Sequence, residues 1–263
     1  MPRPASALVA VLLGLALWAP LPGRAFESGL KLLATGTDSR GWEAVGRLEL
    51  GHDSFCTGTL IAPDLVLTAA HCLYDAASGQ MIDVAGIEFR AGWRNGRAVA
   101  YRHARRARAH PDYVYQGRAQ FDRVAWDLAL VELDQPIRLP QVRPFAIDVA
   151  PQEGATVGVV SYAHDRAEAP ALQSMCNVLK RSGEVVLMNC AADFGASGAP
   201  VFAMRGGVPK IVSVVSAKAE LRGAPVSLGT MVEKVAELRA EMETAGPGTQ
   251  EIRRAGGAKF VRP

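Results

Sequence analysis

Phe55 to Cys72 reads FCTGTLIAPDLVLTAAHC, two short runs of β-branched and apolar residues parted by Pro63-Asp64 and closed by a histidine. Apolar runs of this length between turn residues read as strands. The same texture extends outward. AVGRLEL precedes it from Ala44, and IEFRAG and LALVEL follow from Ile87 and Leu128. A connector spaced by Pro136, Pro140, Pro144 and Pro151 interrupts the pattern, which resumes with ATVGVVSYA, MCNVLK, EVVLMNC, APVFAM, IVSVVSA and APVSLGTMV. Many short strands without intervening helices predict an all-β fold of antiparallel sandwiches or barrels, and two groups about one connector suggest two barrels. Near the C-terminus, Thr230 and Glu233 have capping-box spacing, and Val232, Val235, Ala236 and Met242 recur at helical spacing. They predict a last helix, stopped by Gly246-Pro247.

The chain has 263 residues, 49% of them hydrophobic, enough to bury a sizeable core and against the composition of a disordered chain. Arg3, an apolar run from Ala5 to Ala19, then prolines and small residues ending at Ala25 read as a secretory signal peptide over 1–25, removed after Ala25. The run is shorter than the roughly 20 residues that span a bilayer, so no stable membrane insertion is expected. Residues 26–41 then form an N-terminal segment or a propeptide, and 244–263 a flexible basic tail. The formal charge of +3 includes Arg3 and Arg24 and names no partner; no nucleic acid is expected. The basic run Arg102 to Arg108 (RHARRAR) reads as a solvated face more readily than as a polyanion site.

Export gives the four cysteines meaning, because disulfides persist outside the cytoplasm. Three pairings are open. Cys56 with Cys72 and Cys176 with Cys190 are favoured, since each closes a short local loop. Zinc is disfavoured, as no pair has the two-residue spacing of a zinc knuckle.

Three residues stand out chemically. His71 ends an apolar strand where a rigid scaffold hands over to a loop. Asp127, in AWDLALVEL, precedes an apolar strand, where an ionised carboxylate is costly without a partner and a histidine is a good one. Ser197, in DFGASGAPVF, lies between small residues that leave its hydroxyl uncrowded. His110 in AHPDY and His164 in SYAHD read as turn or surface residues, and His52 and His103 are bland.

The order His, Asp, Ser, with CTGTLI, TAAHC, WDLAL, GASGAP and SVVSA, resembles the chymotrypsin/trypsin-like serine peptidases from about Trp42 to Glu243, and is more similar to the bacterial secreted V8-like and trypsin-like branch than to digestive trypsin. The resemblance implies two six-stranded antiparallel Greek-key barrels with a C-terminal helix: 42–140 with His71 and Asp127, and 141–243 with Ser197. It implies a secreted or periplasmic bacterial endopeptidase acting on protein or peptide substrates without metal or organic cofactor. His71, Asp127 and Ser197 would be the catalytic triad, and the N–H groups of Gly195 and Ser197 the oxyanion hole. A Cys56–Cys72 bridge would pin His71 to the neighbouring strand. An esterase elbow is not matched, because this histidine comes first and the serine sits in G-A-S-G-A.

Two positions depart from the family's pattern. Where digestive members carry an aspartate before the nucleophile, which pairs with a newly exposed N-terminus, this chain has Ala196. It implies either a preformed loop, braced by Cys176–Cys190, or a weak or inactive homologue that binds proteins through the same cleft. Six residues before Ser197, at the base of the primary pocket, stands Ala191, which does not support Lys/Arg specificity. Ser216 matches the serine of the substrate-binding strand. Lys218 falls where a glycine often lines the pocket, and either narrows the entrance, attracts an acidic side chain or points into water.

Overall fold

The structure is a computed structural model that describes residues 29–51, 54–115 and 121–244. The signal-peptide reading, His52 and the basic tail after Thr244 lie outside the described residues. No helix among those described is long and apolar enough to cross a membrane.

Six strands close the first barrel: β2 (Val45–Leu50), β3 (Ser54–Ala62), β4 (Leu65–Thr68), β5 (Ile87–Ala91), β6 (Ala100–Ala109) and β7 (Ala129–Leu133). Their order round the barrel is β2-β3-β4-β7-β6-β5, all antiparallel. The quoted stretch is its β3–β4 hairpin. Alternation does the sorting. In β5, Ile87, Phe89 and Ala91 face the core while Glu88 and Arg90 stay half-exposed. Leu48, Leu60, Leu67, Phe89 and Leu130 are fully buried, each worth roughly 1.5–3 kcal/mol of transfer free energy.

The second sheet holds β1 (Leu30–Leu32), β8 (Thr156–Ala163), β9 (Arg166–Ser182), β10 (Val185–Met188), β11 (Pro200–Arg205), β12 (Val208–Leu221) and β13 (Ala224–Met231). Its order is β1-β9-β10-β13-β12-β11-β8, and β8 also pairs with β9, so that all but β1 complete a cycle. β1 is added outside that cycle, on β9. It comes from the segment preceding Trp42.

The two units share an apolar seam. Trp42, Phe145 and Phe202 pack with tilted and edge-on rings, their centroids 4.7–5.7 Å apart, and the buried Tyr162 hydroxyl donates to the Trp93 carbonyl at 2.8 Å. The connector straps both: Phe145 N–H donates to Leu60 O in the first barrel, and Asp148 N–H to Ile211 O in the second.

The helices depart from expectation at two points. A short helix α1 (Phe121–Val124) precedes Asp127, and the final helix α2 (Val235–Thr244) starts after the Thr230/Glu233 pair. The capping box is not formed. Thr230 is a buried β13 residue whose hydroxyl donates to Val124 O, and the Glu233 carboxylate accepts from Ala150 N–H. Ala236 is exposed, and Leu238 takes the buried place on α2. The basic run lies on β6 and is largely spent inside the fold. Arg105 and Arg106 pair with Glu132, Arg108 pairs with Glu241, and Arg106 donates to Met242 O at 2.8 Å. Arg106 and Arg108 hold α2 against the barrel.

Candidate active site

β4 is wholly buried, and the chain leaves it through a single 3-10 turn, Ala70–Leu73, that carries His71. The Cys56–Cys72 disulfide ties this turn to β3. Metal ligation is closed to the two cysteines beside His71, since both sulfurs are spent in that bond.

Asp127 follows α1 in a tight turn, its N–H donating to Val124 O at 3.3 Å, just before β7. Its carboxylate is fully buried. Oδ1 accepts from the His71 backbone N–H at 2.7 Å, and Oδ2 lies 2.6 Å from His71 Nδ1. The Ser216 hydroxyl also donates to Oδ2. Burial alone would push this carboxyl up. The His71 charge, with hydrogen bonds from His71 and Ser216, outweighs it and holds Asp127 below the usual carboxylate range. With Nδ1 donating to the carboxylate, Nε2 is left as the ring's free base.

Ser197 lies between β10 and β11, in the strandless stretch 189–199. Two backbone turns shape it: Ala196 N–H to Asp193 O at 2.9 Å, and Ala199 N–H to Ala196 O at 3.0 Å. Ser197 O accepts from Thr57 N–H on β3 at 2.8 Å, and Gly198 N–H donates to Val215 O on β12 at 2.8 Å. Gly198 has φ +78°, and a Cβ there would stand 2.1 Å from Thr68 Oγ1, 2.3 Å from Thr57 O and 3.0 Å from Ala69 N. The serine loop is therefore packed against the end of β4, three residues before His71. Among the described residues, no hydrogen bond joins Ser197 Oγ to His71 Nε2. In unliganded sites such contacts are often long.

Gly195 precedes with φ +95°, and a Cβ would meet the Phe55 ring at 2.6 Å and Ala163 Cα at 3.0 Å, so only glycine fits. Its carbonyl accepts from the buried Thr57 hydroxyl at 2.8 Å, and the Phe194 carbonyl accepts from His164 N–H at 2.8 Å. The N–H groups of Gly195 and Ser197 have no acceptor among the described residues. Such a pair can bind an anionic oxygen.

The residues expected to bind substrate are spread out. Ser216 stands at a bulge in β12, between Val215 and Ala217, which turns its hydroxyl inward to Asp127. Ala191 is half-buried, with its N–H held by Gln173 Oε1 at 2.8 Å. Lys218 is at the rim, with Nζ 2.9 Å from Asp193 Oδ1 and 3.9 Å from the Phe194 ring centroid. The lysine and the Phe194 N–H keep the Asp193 carboxyl below its usual range. The Cys176–Cys190 disulfide joins β9 to the start of the serine loop.

Sequence reasoning missed three contributors: Thr57, the carboxylate-facing role of Ser216, and His110. The last is buried, stacked on Trp126 at 4.9 Å next to Asp127, rather than lying on the surface. His164 does stand in an exposed turn, yet its ring stacks on Phe55 at 5.0 Å and its N–H holds the serine loop.

The family model described as Trypsin matches residues 35–237. A trypsin of Phaedon cochleariae is 35% identical over 114 residues, 43% of this chain and 40% of that protein. Glutamyl endopeptidase of Bacillus licheniformis is 27% identical over 150 residues, covering 56% and 45%. Serine protease 23 of Homo sapiens is 28% identical over 166 residues, covering 56% and 42%. The matched region thus spans less than half the length of these relatives. Among solved structures, a Glu endopeptidase in complex with MPD superposes with a TM-score of 0.65 at 20% identity, over 82% of this chain and 97% of that one, and shows the shared fold. By the extent of the family match, this chain belongs to the trypsin family.

Proposed function

We propose that the chain is an exported serine endopeptidase that cleaves peptide bonds through an acyl-enzyme on Ser197. The observation that carries this reading is the fully buried Asp127 carboxylate bound to both the N–H and Nδ1 of His71. Such a carboxylate fixes the histidine tautomer and stabilises the imidazolium. His71 Nε2 takes the Ser197 proton as Oγ attacks the substrate carbonyl, then returns it to the leaving amine; water repeats the path to release the acyl group. The N–H groups of Gly195 and Ser197 receive the oxyanion. The β11–β12 ladder ends at Val214 and Val215 is hydrogen-bonded to Gly198 and Ala199, so that from Ser216 on β12 has, among the described residues, a strand edge on that side for an extended peptide. Export agrees with two disulfides, which persist in oxidising compartments. Ala191 offers no anion for a Lys/Arg side chain, while an acidic side chain at the rim would compete with Asp193 for Lys218.

A second reading draws on the missing Ser197–His71 hydrogen bond: a homologue that binds peptides in this cleft without cleaving them. Intact-mass analysis after exposure to a fluorophosphonate separates the two. One adduct, absent in Ser197→Ala and strongly slowed in His71→Ala, is the expected result. No adduct on the native, disulfide-intact chain would favour the binding module.

A further inference from the structure

Ala196 removes the carboxylate that could anchor the serine loop to a new N-terminus, so something else must hold the two oxyanion donors in position. We infer that the Thr57 hydroxyl is that anchor, a positioning residue on the opposite barrel that sets the oxyanion loop without proteolytic activation. The inference rests on the proposed peptidase reading.

Thr57 is fully buried on β3 and touches the loop twice. Its N–H donates to Ser197 O at 2.8 Å, and its Oγ1 donates to Gly195 O at 2.8 Å. The hydroxyl's orientation is itself dictated, because Oγ1 accepts from Tyr162 N–H at 3.1 Å and so has its proton free for Gly195. Thr57 O accepts from Thr68 Oγ1 at 2.9 Å, and Cys56 beside it is bonded to Cys72 next to His71. One residue thereby links the acid–base half of the site to the nucleophile half.

Peptide planarity turns these contacts into an aiming device. In a trans peptide the C=O and N–H point in opposite directions. Phe194 O is held by His164 N–H, so Gly195 N–H is directed away from His164. Gly195 O is held by Thr57 Oγ1, which fixes the next peptide plane and, through the Ala196 turn, the Ser197 N–H. Without the hydroxyl, the 195–196 peptide loses its only side-chain anchor among the described residues and is held at one end alone, by the Ala196 N–H bond to Asp193 O, so that its carbonyl end can tilt. The bonds to the backbone of residues 194, 196 and 197 remain, so the loop and the binding of the substrate chain are retained while the donors on either side of the tilted peptide lose part of their aim. The effect therefore falls on the transition state.

The test compares Thr57→Val, nearly isosteric but without a donor, with Thr57→Ser, which keeps one, by steady-state cleavage of a peptide substrate found by library profiling of the wild-type chain. Thr59→Val is the control: it deletes another buried β3 hydroxyl, one that contacts Ala44 O rather than the loop. Since losing one oxyanion donor costs ~10²–10³ in rate, misaiming one should lower kcat at least ~10-fold in Thr57→Val, with KM within about 2-fold. Thr57→Ser should recover most of kcat, and Thr59→Val should keep it. Should the valine variant not fold, Thr57→Ala, which leaves room for water on Tyr162 N–H, is read the same way. Unchanged kcat in a folded Thr57→Val or Thr57→Ala overturns the inference alone. A wild-type chain that forms no fluorophosphonate adduct overturns the peptidase reading and the inference with it.

Discussion

His71 and Asp127 sit at strand ends of a closed barrel whose core is richest in leucine, whereas Ser197 sits in a strandless loop of a sheet with a separate core cluster that is mostly valine and holds no leucine. The His71–Asp127 pair is fixed chiefly by its own barrel: β4, β7 and the Cys56–Cys72 bridge place both residues, and Ser216 and Thr230 reach across to Asp127 and to the turn before it. The serine loop is held from two sides, by Thr57 on β3 of the first barrel and, within its own sheet, by His164 N–H, Val215 O and the Cys176–Cys190 bridge. One half is therefore sensitive in its chemistry, and the other in its packing. Substitutions that separate activity from stability should expose the difference.

The largest effect is expected in the barrel half. Asp127→Asn keeps the shape but lets the amide donate to Nδ1, forcing the wrong histidine tautomer. A fall in kcat of about 10⁴-fold is expected, the size found when this tautomer is lost in chymotrypsin-like triads, with little change in the urea midpoint. A loss under 10-fold would mean that Asp127 only holds structure.

Gly198→Ala probes the loop half, and its effect should appear in stability. A left-handed φ in a non-glycine residue and a Cβ driven 2.3 Å from the Thr57 carbonyl together cost on the order of 4 kcal/mol by urea unfolding. Full stability in Gly198→Ala would break the comparison, since the loop would then tolerate movement away from β4.

Most of the fold, and the three proposed site residues, could be picked out in the sequence because their signals are local. Strand texture, His71 at the end of an apolar run, and Ser197 among small residues are all read within ten positions. What was hidden depends on partners far along the chain. The Thr57 hydroxyl meets a carbonyl 138 residues away, and Ser216 meets Asp127 across 89. Nothing in CTGTLI or SVVSA signals either bond. Thr230 and Glu233 have the right spacing for a helix cap, yet β13 runs on to Met231, and tertiary pairing overrides the local motif. The arginines of RHARRAR resemble a solvated face until Glu132 and Glu241 are brought beside them.

His110 gives the smallest effect and the one that is set by pH. Pro111-Asp112 make the local sequence read as a turn, and the turn exists, with Tyr113 N–H on His110 O at 2.9 Å. The ring nevertheless points inward, its Nδ1 accepting from Asp112 N–H at 3.2 Å and its Nε2 buried without a hydrogen-bond partner among the described residues. Burial lowers its pKa from the ordinary 6.5, against the opposing pull of Asp112, Glu237 and Glu241 and with a minor push from Lys234. As pH falls below 6.5, the unfolded chain takes up this proton before the folded one does, so the neutral ring's contribution to stability, complete above that pH, is lost as pH drops through the folded value. His110→Phe keeps the stack on Trp126 and removes the titration. Its urea midpoint should fall less than that of wild type between about pH 8 and pH 5. Equal falls in the two proteins would mean that acid sensitivity lies elsewhere, in carboxylates such as Asp127, and the barrel half would then be limited in acid by its chemistry alone.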